Sequence, residues 1–144
     1  MEKIALLTDS ACDIDDDTIK RYGINVLPFR IIYKDREYID KCEITPKYVY
    51  ENMDKEIPKS SLPSPLSMEK IYEKLEKENY THVIAVVISS GLSGTYNSLK
   101  IISDKHKDIK TYLYDSKSTS IGEGIILKTC GELIDEGKNF DEIT

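Results

Sequence analysis

The stretch His82-Val-Ile-Ala-Val-Val-Ile-Ser-Ser-Gly-Leu-Ser-Gly-Thr-Tyr-Asn-Ser98 decides the fold. Val83 to Ile88 is a short apolar run rich in β-branched residues, the signature of a strand buried on both faces. It stops at Ser89-Ser90-Gly91-Leu92-Ser93-Gly94-Thr95. Tyr96, Leu99 and Ile102 then recur at helical spacing. A buried strand therefore passes through a hydroxyl- and glycine-rich turn into a helix, predicted from about Ser93 to His106. In open α/β sheets this junction lies at the carboxyl edge, where ligands settle. Two glycines let a ligand approach the backbone, and free N–H groups at a helix start favour an anion.

Working outward, Ile4 to Leu7 is a first buried strand closing in Thr8-Asp9-Ser10. Asp13 or Asp15 caps a helix through Ile19 and Tyr22, which Gly23 ends. Ile24 to Tyr33 is β-rich, and Pro28 within it implies an edge strand, a bend or two short strands. Glu37 to Ile39 is placed as its hairpin partner. Thr45-Pro46 and Ser64-Pro65 each set a capping residue before proline at the first helical position. Lys59 to Pro65 reads as loop. Met68, Ile71, Tyr72 and Leu75 mark the amphipathic helix that leads into the opening strand. Lys110 to Tyr114 is a further strand ending in Asp115-Ser116, and Ile126, Cys130, Leu133 and Ile134 lie on a long helix that Gly137 stops. Phe140 begins another helix. This alternation predicts an α/β fold, a mainly parallel β-sheet with helices on both faces.

With 144 residues, 40% of them hydrophobic and 32% charged, the chain suits one domain with a real core. A net charge of −6 argues against a nucleic-acid partner, whose surface shows as basic patches. No run approaches the about 18 apolar residues of a membrane span. The N-terminal apolar run is shorter than that of a signal peptide. Cys12, Cys42 and Cys130 are odd in number and without paired spacing, which suits reduced thiols in a cytoplasmic protein.

Three strands end alike, in Asp9-Ser10, Ser89-Ser90 and Asp115-Ser116, and a parallel sheet gathers those ends on one edge. Ser60-Ser61 precedes a helix that feeds the central strand and reaches the same edge. The inventory is hydroxyls, backbone N–H groups and two carboxylates. No Lys, Arg or His lies within Ser60 to Ser64 or Ser89 to Thr95. A phosphate site adds a cation. Hydroxyl and backbone donors, each charge-assisted bond worth about 1.5–3 kcal/mol, hold a singly charged carboxylate. The plainer readings stand beside this one. Asp9-Ser10 and Asp115-Ser116 are also helix caps, Ser93 is also an N-cap, and Ser60 to Pro65 is also a turn. The Ser89 to Thr95 loop lacks the spacing of a dinucleotide fingerprint and the Gly-Lys ending of a P-loop. His82, His106 and the cysteines read as surface or core residues. The acidic run from Asp13 to Asp17 lacks the alternation of a calcium loop, so no metal is expected.

Four motifs in register, Thr8-Asp9-Ser10, Ser60-Ser61-Leu62-Pro63-Ser64-Pro65, Ser89 to Tyr96, and Asp115-Ser116 with Ser120-Ile-Gly-Glu-Gly124, resemble the DegV family over nearly the whole chain. The resemblance implies a bacterial protein that binds one long-chain fatty acid such as palmitate, with the carboxylate at the serine loops and the tail in an apolar tunnel. Some members present the acid to a separate fatty acid kinase for phospholipid synthesis, and the carrier itself is no enzyme. Carried over by position, Ser61 and Ser93 are the first carboxylate contacts, with Ser60, Gly94, Ser90 and Thr95 beside them. Asp9, Ser10, Asp115 and Ser116 support them. Leu62 stands where the family often has Gln, and Ser60 where it often has Thr. DegV proteins have two domains with the acid between them. Residues 1–144 resemble the N-terminal one, so the C-terminal domain is expected to supply much of the tunnel and cationic or imidazole groups. No cofactor is implied. The rivals are a hydrolase or transferase using Ser90 or Ser93, and a non-catalytic interaction domain.

Overall fold

The computed structural model describes residues 1–144. In chain order the elements are β1 (Ile4–Asp9), α1 (Asp16–Tyr22), β2 (Asn25–Leu27), β3 (Arg30–Ile32), β4 (Glu37–Ile39), α2 (Pro46–Asn52) and β5 (Lys59–Ser61). Then follow α3 (Pro65–Lys77), β6 (His82–Val87), α4 (Thr95–Ser103), β7 (Lys110–Asp115), α5 (Ser120–Asp135) and α6 (Phe140–Ile143). β2, β1, β6 and β7 form one sheet in that order, parallel throughout. Its register pairs Ile4 with His82 and His82 with Lys110, which brings the ends of β1, β6 and β7 to one edge.

The period-two alternation of a strand separates two cores. Ala5, Leu7, Val83, Ala85 and Val87 face Met68, Tyr72 and Leu75 of α3 and Leu99 and Ile102 of α4. Leu6, Ile84 and Val86 face the other way, onto Leu127 and Cys130 of α5 and onto Phe140. Helices cover both faces, as the alternation of elements predicts. No helix is long and apolar enough to cross a membrane.

Pro28 divides the β-rich segment. β2 stays in the parallel sheet, whereas β3 turns away to pair antiparallel with β4 and β5 in a second, three-stranded sheet. Ser10 joins the two sheets, since its hydroxyl accepts the Phe29 N–H at 2.9 Å and donates to Asp40 Oδ2 at 2.6 Å. β5 corrects the loop expected over Lys59 to Pro65. It is a polar strand held by main-chain pairing with β3, so no apolar period marks it. α4 is also shorter than expected. It begins at Thr95 with Gly94 as N-cap and ends at Ser103.

Candidate functional site

The strand-end aspartates act on neighbouring loops. Asp9, fully buried, accepts the Ala11 N–H at 3.0 Å through Oδ1 and the Ile88 N–H at 2.8 Å through Oδ2. It thereby fixes the first residue after β6. Beneath it, Glu123 of α5 is also fully buried and accepts the Thr8 hydroxyl at 3.0 Å. Burial pushes the Glu123 carboxyl up to about 9, and the adjacent Asp9 charge adds to this. Asp9 accepts two backbone donors and Glu123 one hydroxyl, so the proton belongs on Glu123. Its Oε2 is buried without a hydrogen-bond partner, and the nearby Asp9 charge further favours the protonated form. The Cβ of a residue replacing Gly124 would lie 2.8 Å from the Asp13 carbonyl oxygen, so that motif glycine serves helix packing.

Asp115 performs the same task on the other side. Its Oδ1 accepts the N–H groups of Ser90 and Lys117 at 3.1 and 3.2 Å. Its Oδ2 accepts the Ser90 hydroxyl and the Lys117 ammonium, the latter at 2.6 Å. Burial alone would raise its pKa, but Lys117 and Ser90 outweigh it and hold the carboxyl well below the usual range. The Ser116 hydroxyl bonds only within its turn, to the N–H and carbonyl of Ser118, while its N–H donates to the Val87 carbonyl at 3.2 Å.

These contacts sort the serines by where their protons go. The Ser90 proton is spent on Asp115. Ser93 Oγ accepts the Thr95 N–H at 3.2 Å and lies 2.9 Å from Thr95 Oγ1. Thr95 is fully buried and Ser93 Oγ is the only acceptor near its hydroxyl, so Thr95 donates. That leaves the Ser93 proton free. The N–H groups of Gly94, Tyr96 and Asn97 have no acceptor in the chain, as at any helix start. A Cβ at Gly94 would meet nothing within 4 Å, and its φ of −75° suits any residue. Neither packing nor backbone requires a glycine there. The Thr95 geometry makes Thr95→Val a near-isosteric test. The variant is expected to fold, and to bind a carboxylate ligand several-fold more weakly because Ser93 loses the hydroxyl that turns its proton outward. Binding equal to the parent in a titration would refute that orientation.

Ser61 lies opposite Arg30 in the β3–β5 register and accepts Arg30 Nη2–H at 2.8 Å. The same guanidinium donates to the Leu62 carbonyl and to Glu37 at 3.3 Å each. The cation absent from the motifs is thus supplied from 31 residues away. Side chains alternate along a strand, so Ser60 points to the opposite face from Ser61, and it is exposed. Leu62 and Tyr96 pack on the same core cluster, which sets the Ser61 and Ser93 segments over one face of the parallel sheet. His106 is bonded to Glu69 and Glu76, and His82 to Thr81, so neither histidine serves a loop serine as base.

A family described as "Uncharacterised protein, DegV family" matches residues 3–144. The chain belongs to the DegV family. A DegV domain-containing protein of Clostridium acetobutylicum is 61% identical over 143 residues, covering 99% of this chain and 51% of its own length. The chain thus spans about half the length of the curated relatives it matches. The crystal structure of DegV from Bacillus subtilis, described as a fatty acid binding protein, superposes with a TM-score of 0.92 at 28% identity. It covers 99% of this chain and 51% of that one. A DegV family protein from Eubacterium eligens loaded with heptadecanoic acid gives 0.81 at 27% identity over 98% of this chain and 51% of its own. Within the DegV fold the four sequence motifs occupy one edge. Arg30 and Glu123 join them there although no motif contained Arg30 and none gave Glu123 a role.

Proposed function

We propose that this DegV domain holds the head group of a long-chain fatty acid, such as palmitate, as a carrier rather than an enzyme. The observation that carries the reading is the supply of uncommitted donors at one edge: the hydroxyl protons of Ser61 and Ser93 and the N–H groups of Gly94, Tyr96 and Asn97. Every carboxylate at that edge is already occupied by the protein's own donors. The open space at Gly94 suits a carboxylate resting on the main chain. The fatty acids named for the solved relatives supply the chemical class.

Leu66, Leu92, Ile121 and Ile125 are 60–66% exposed and stand at the starts of α3, α4 and α5, which share the carboxyl edge. They suit the mouth of an acyl tunnel completed by a second, C-terminal domain, with residues 1–144 as the N-terminal one. Tail burial supplies most of the affinity, at about 0.8 kcal/mol per methylene. A carrier of this kind hands its acid to a fatty acid kinase, and three unpaired thiols suit the cytoplasm. Native mass spectrometry of the freshly expressed full-length protein tests the reading. A co-purified C16 or C18 acid is the expected mass; a protein that carries none and takes up no added palmitate refutes it.

A further inference from the structure

We propose that Arg30 is the positioning residue of the head-group site, placing positive charge behind the Ser61 hydroxyl so that the site accepts an ionised carboxylate and discriminates against a neutral head. This rests on the fatty-acid reading and adds to it a source of charge selection within residues 1–144.

A serine hydroxyl has one proton and two acceptor positions. The Arg30 guanidinium fills one acceptor position of Ser61 Oγ at 2.8 Å, and the Ser61 proton has no acceptor in the chain. A cationic donor polarises the O–H bond, and the proton it leaves exposed becomes a stronger donor. The guanidinium is not free to swing onto a ligand and replace Ser61. Nε is held by the Leu62 carbonyl and Nη1 by Glu37 of β4. Arg30 sits on the central strand of the small sheet, between Ile39 and Ser61, so its backbone is fixed from both sides. Ser93 differs, since its acceptor positions are filled by the neutral Thr95 N–H and hydroxyl. The two hydroxyls therefore recognise different properties. Ser93 and the adjacent N–H groups recognise an acceptor, and Ser61 with Arg30 recognises its charge. A fatty alcohol or ester offers an acceptor without the charge, and loses the Arg30 contribution.

The test uses the full-length protein and two probes, palmitate and 1-hexadecanol, in competition with a fluorescent fatty acid. Arg30→Met keeps the apolar stem and removes the guanidinium. It is expected to weaken palmitate roughly tenfold and to leave hexadecanol within about twofold, so the ratio of the two affinities collapses. Combined with Ser61→Ala, Arg30→Met should cost little more than Ser61→Ala alone, because Arg30 acts through Ser61. Should Arg30→Met fail to fold, Arg30→Gln, which retains an N–H donor but no charge, must show the same collapse. An equal loss for both probes marks a merely structural role and overturns the proposal. So does unchanged palmitate affinity in a variant series where Ser93→Ala still weakens binding. If the parent itself binds no palmitate, or Ser93→Ala and Ser61→Ala are both silent, the fatty-acid reading fails first, and the two failures are distinguishable.

Discussion

Ser93→Ala in the full-length protein is expected to lower palmitate affinity roughly 10- to 100-fold, the range for one lost charge-assisted hydrogen bond. The variant should still fold, with a melting temperature lower by a few degrees, because the buried Thr95 hydroxyl loses its acceptor at a cost of about 1–3 kcal/mol. Ser90→Ala is the internal comparison. Its hydroxyl is committed to Asp115, so removing it should perturb the loop more than the ligand. Gly94→Ala completes the set. Nothing in the chain crowds a methyl there, so an intact fold with weakened binding would place the ligand on that backbone. Isothermal titration of the three variants decides it. Equal affinities for Ser93→Ala and the parent would sink the head-group assignment, whatever the other two show.

Alkaline loss of stability is the second large effect, and Glu123→Gln should abolish it. In the unfolded chain a glutamate releases its proton near 4.5; in the fold Glu123 keeps it up to about 9. Between those values the native state binds the extra proton, so the contribution of Glu123 to stability is complete below the lower value and falls as pH rises towards the upper one. The slope approaches about 1.4 kcal/mol per pH unit for one proton. The amide of Glu123→Gln still accepts the Thr8 hydroxyl but cannot ionise. Urea midpoints from pH 6 to 9 should decline in the parent and stay nearly level in the variant. Parallel declines would show that Glu123 enters the fold already charged. Asp9 anchors the Ile88 N–H at the root of the serine loop, so the same titration reaches the ligand edge.

The parts of the site visible in the sequence are those whose signal is local. Val83 to Ile88 announces a buried strand by composition, and the loop after it follows directly. β5 was hidden because Lys59-Ser60-Ser61 buries no large apolar side chain; its strand geometry comes from β3 and appears only once the register is known. Arg30 was hidden for the same reason. A single arginine in an otherwise apolar run carries no sign that antiparallel pairing will set it across from Ser61. Glu123 did leave a trace. It falls at helical spacing from Leu127 and Cys130, which puts a carboxyl on the stripe that α5 buries. The motifs themselves hold no cation, and the resemblance assigns the cationic groups to the C-terminal domain; Arg30 of the second sheet adds one within residues 1–144, because antiparallel pairing brings it to Ser61.

The joint at Ser10 has a kinetic consequence. One donor wall rides on the parallel sheet and the other on the antiparallel sheet, and the bonds that define them close long loops: Arg30 to Ser61, Ser90 to Asp115, and Asp9 to Ile88 across 79 residues. Contacts of such sequence separation form late, because the chain entropy of each closure is lost before the contact repays it. A nascent chain therefore presents strands, helices and greasy helix starts well before it presents a place for a carboxylate. In the proposed carrier, lipid loading would belong to the final stage of folding, and a bound acid would attest that both sheets had already met.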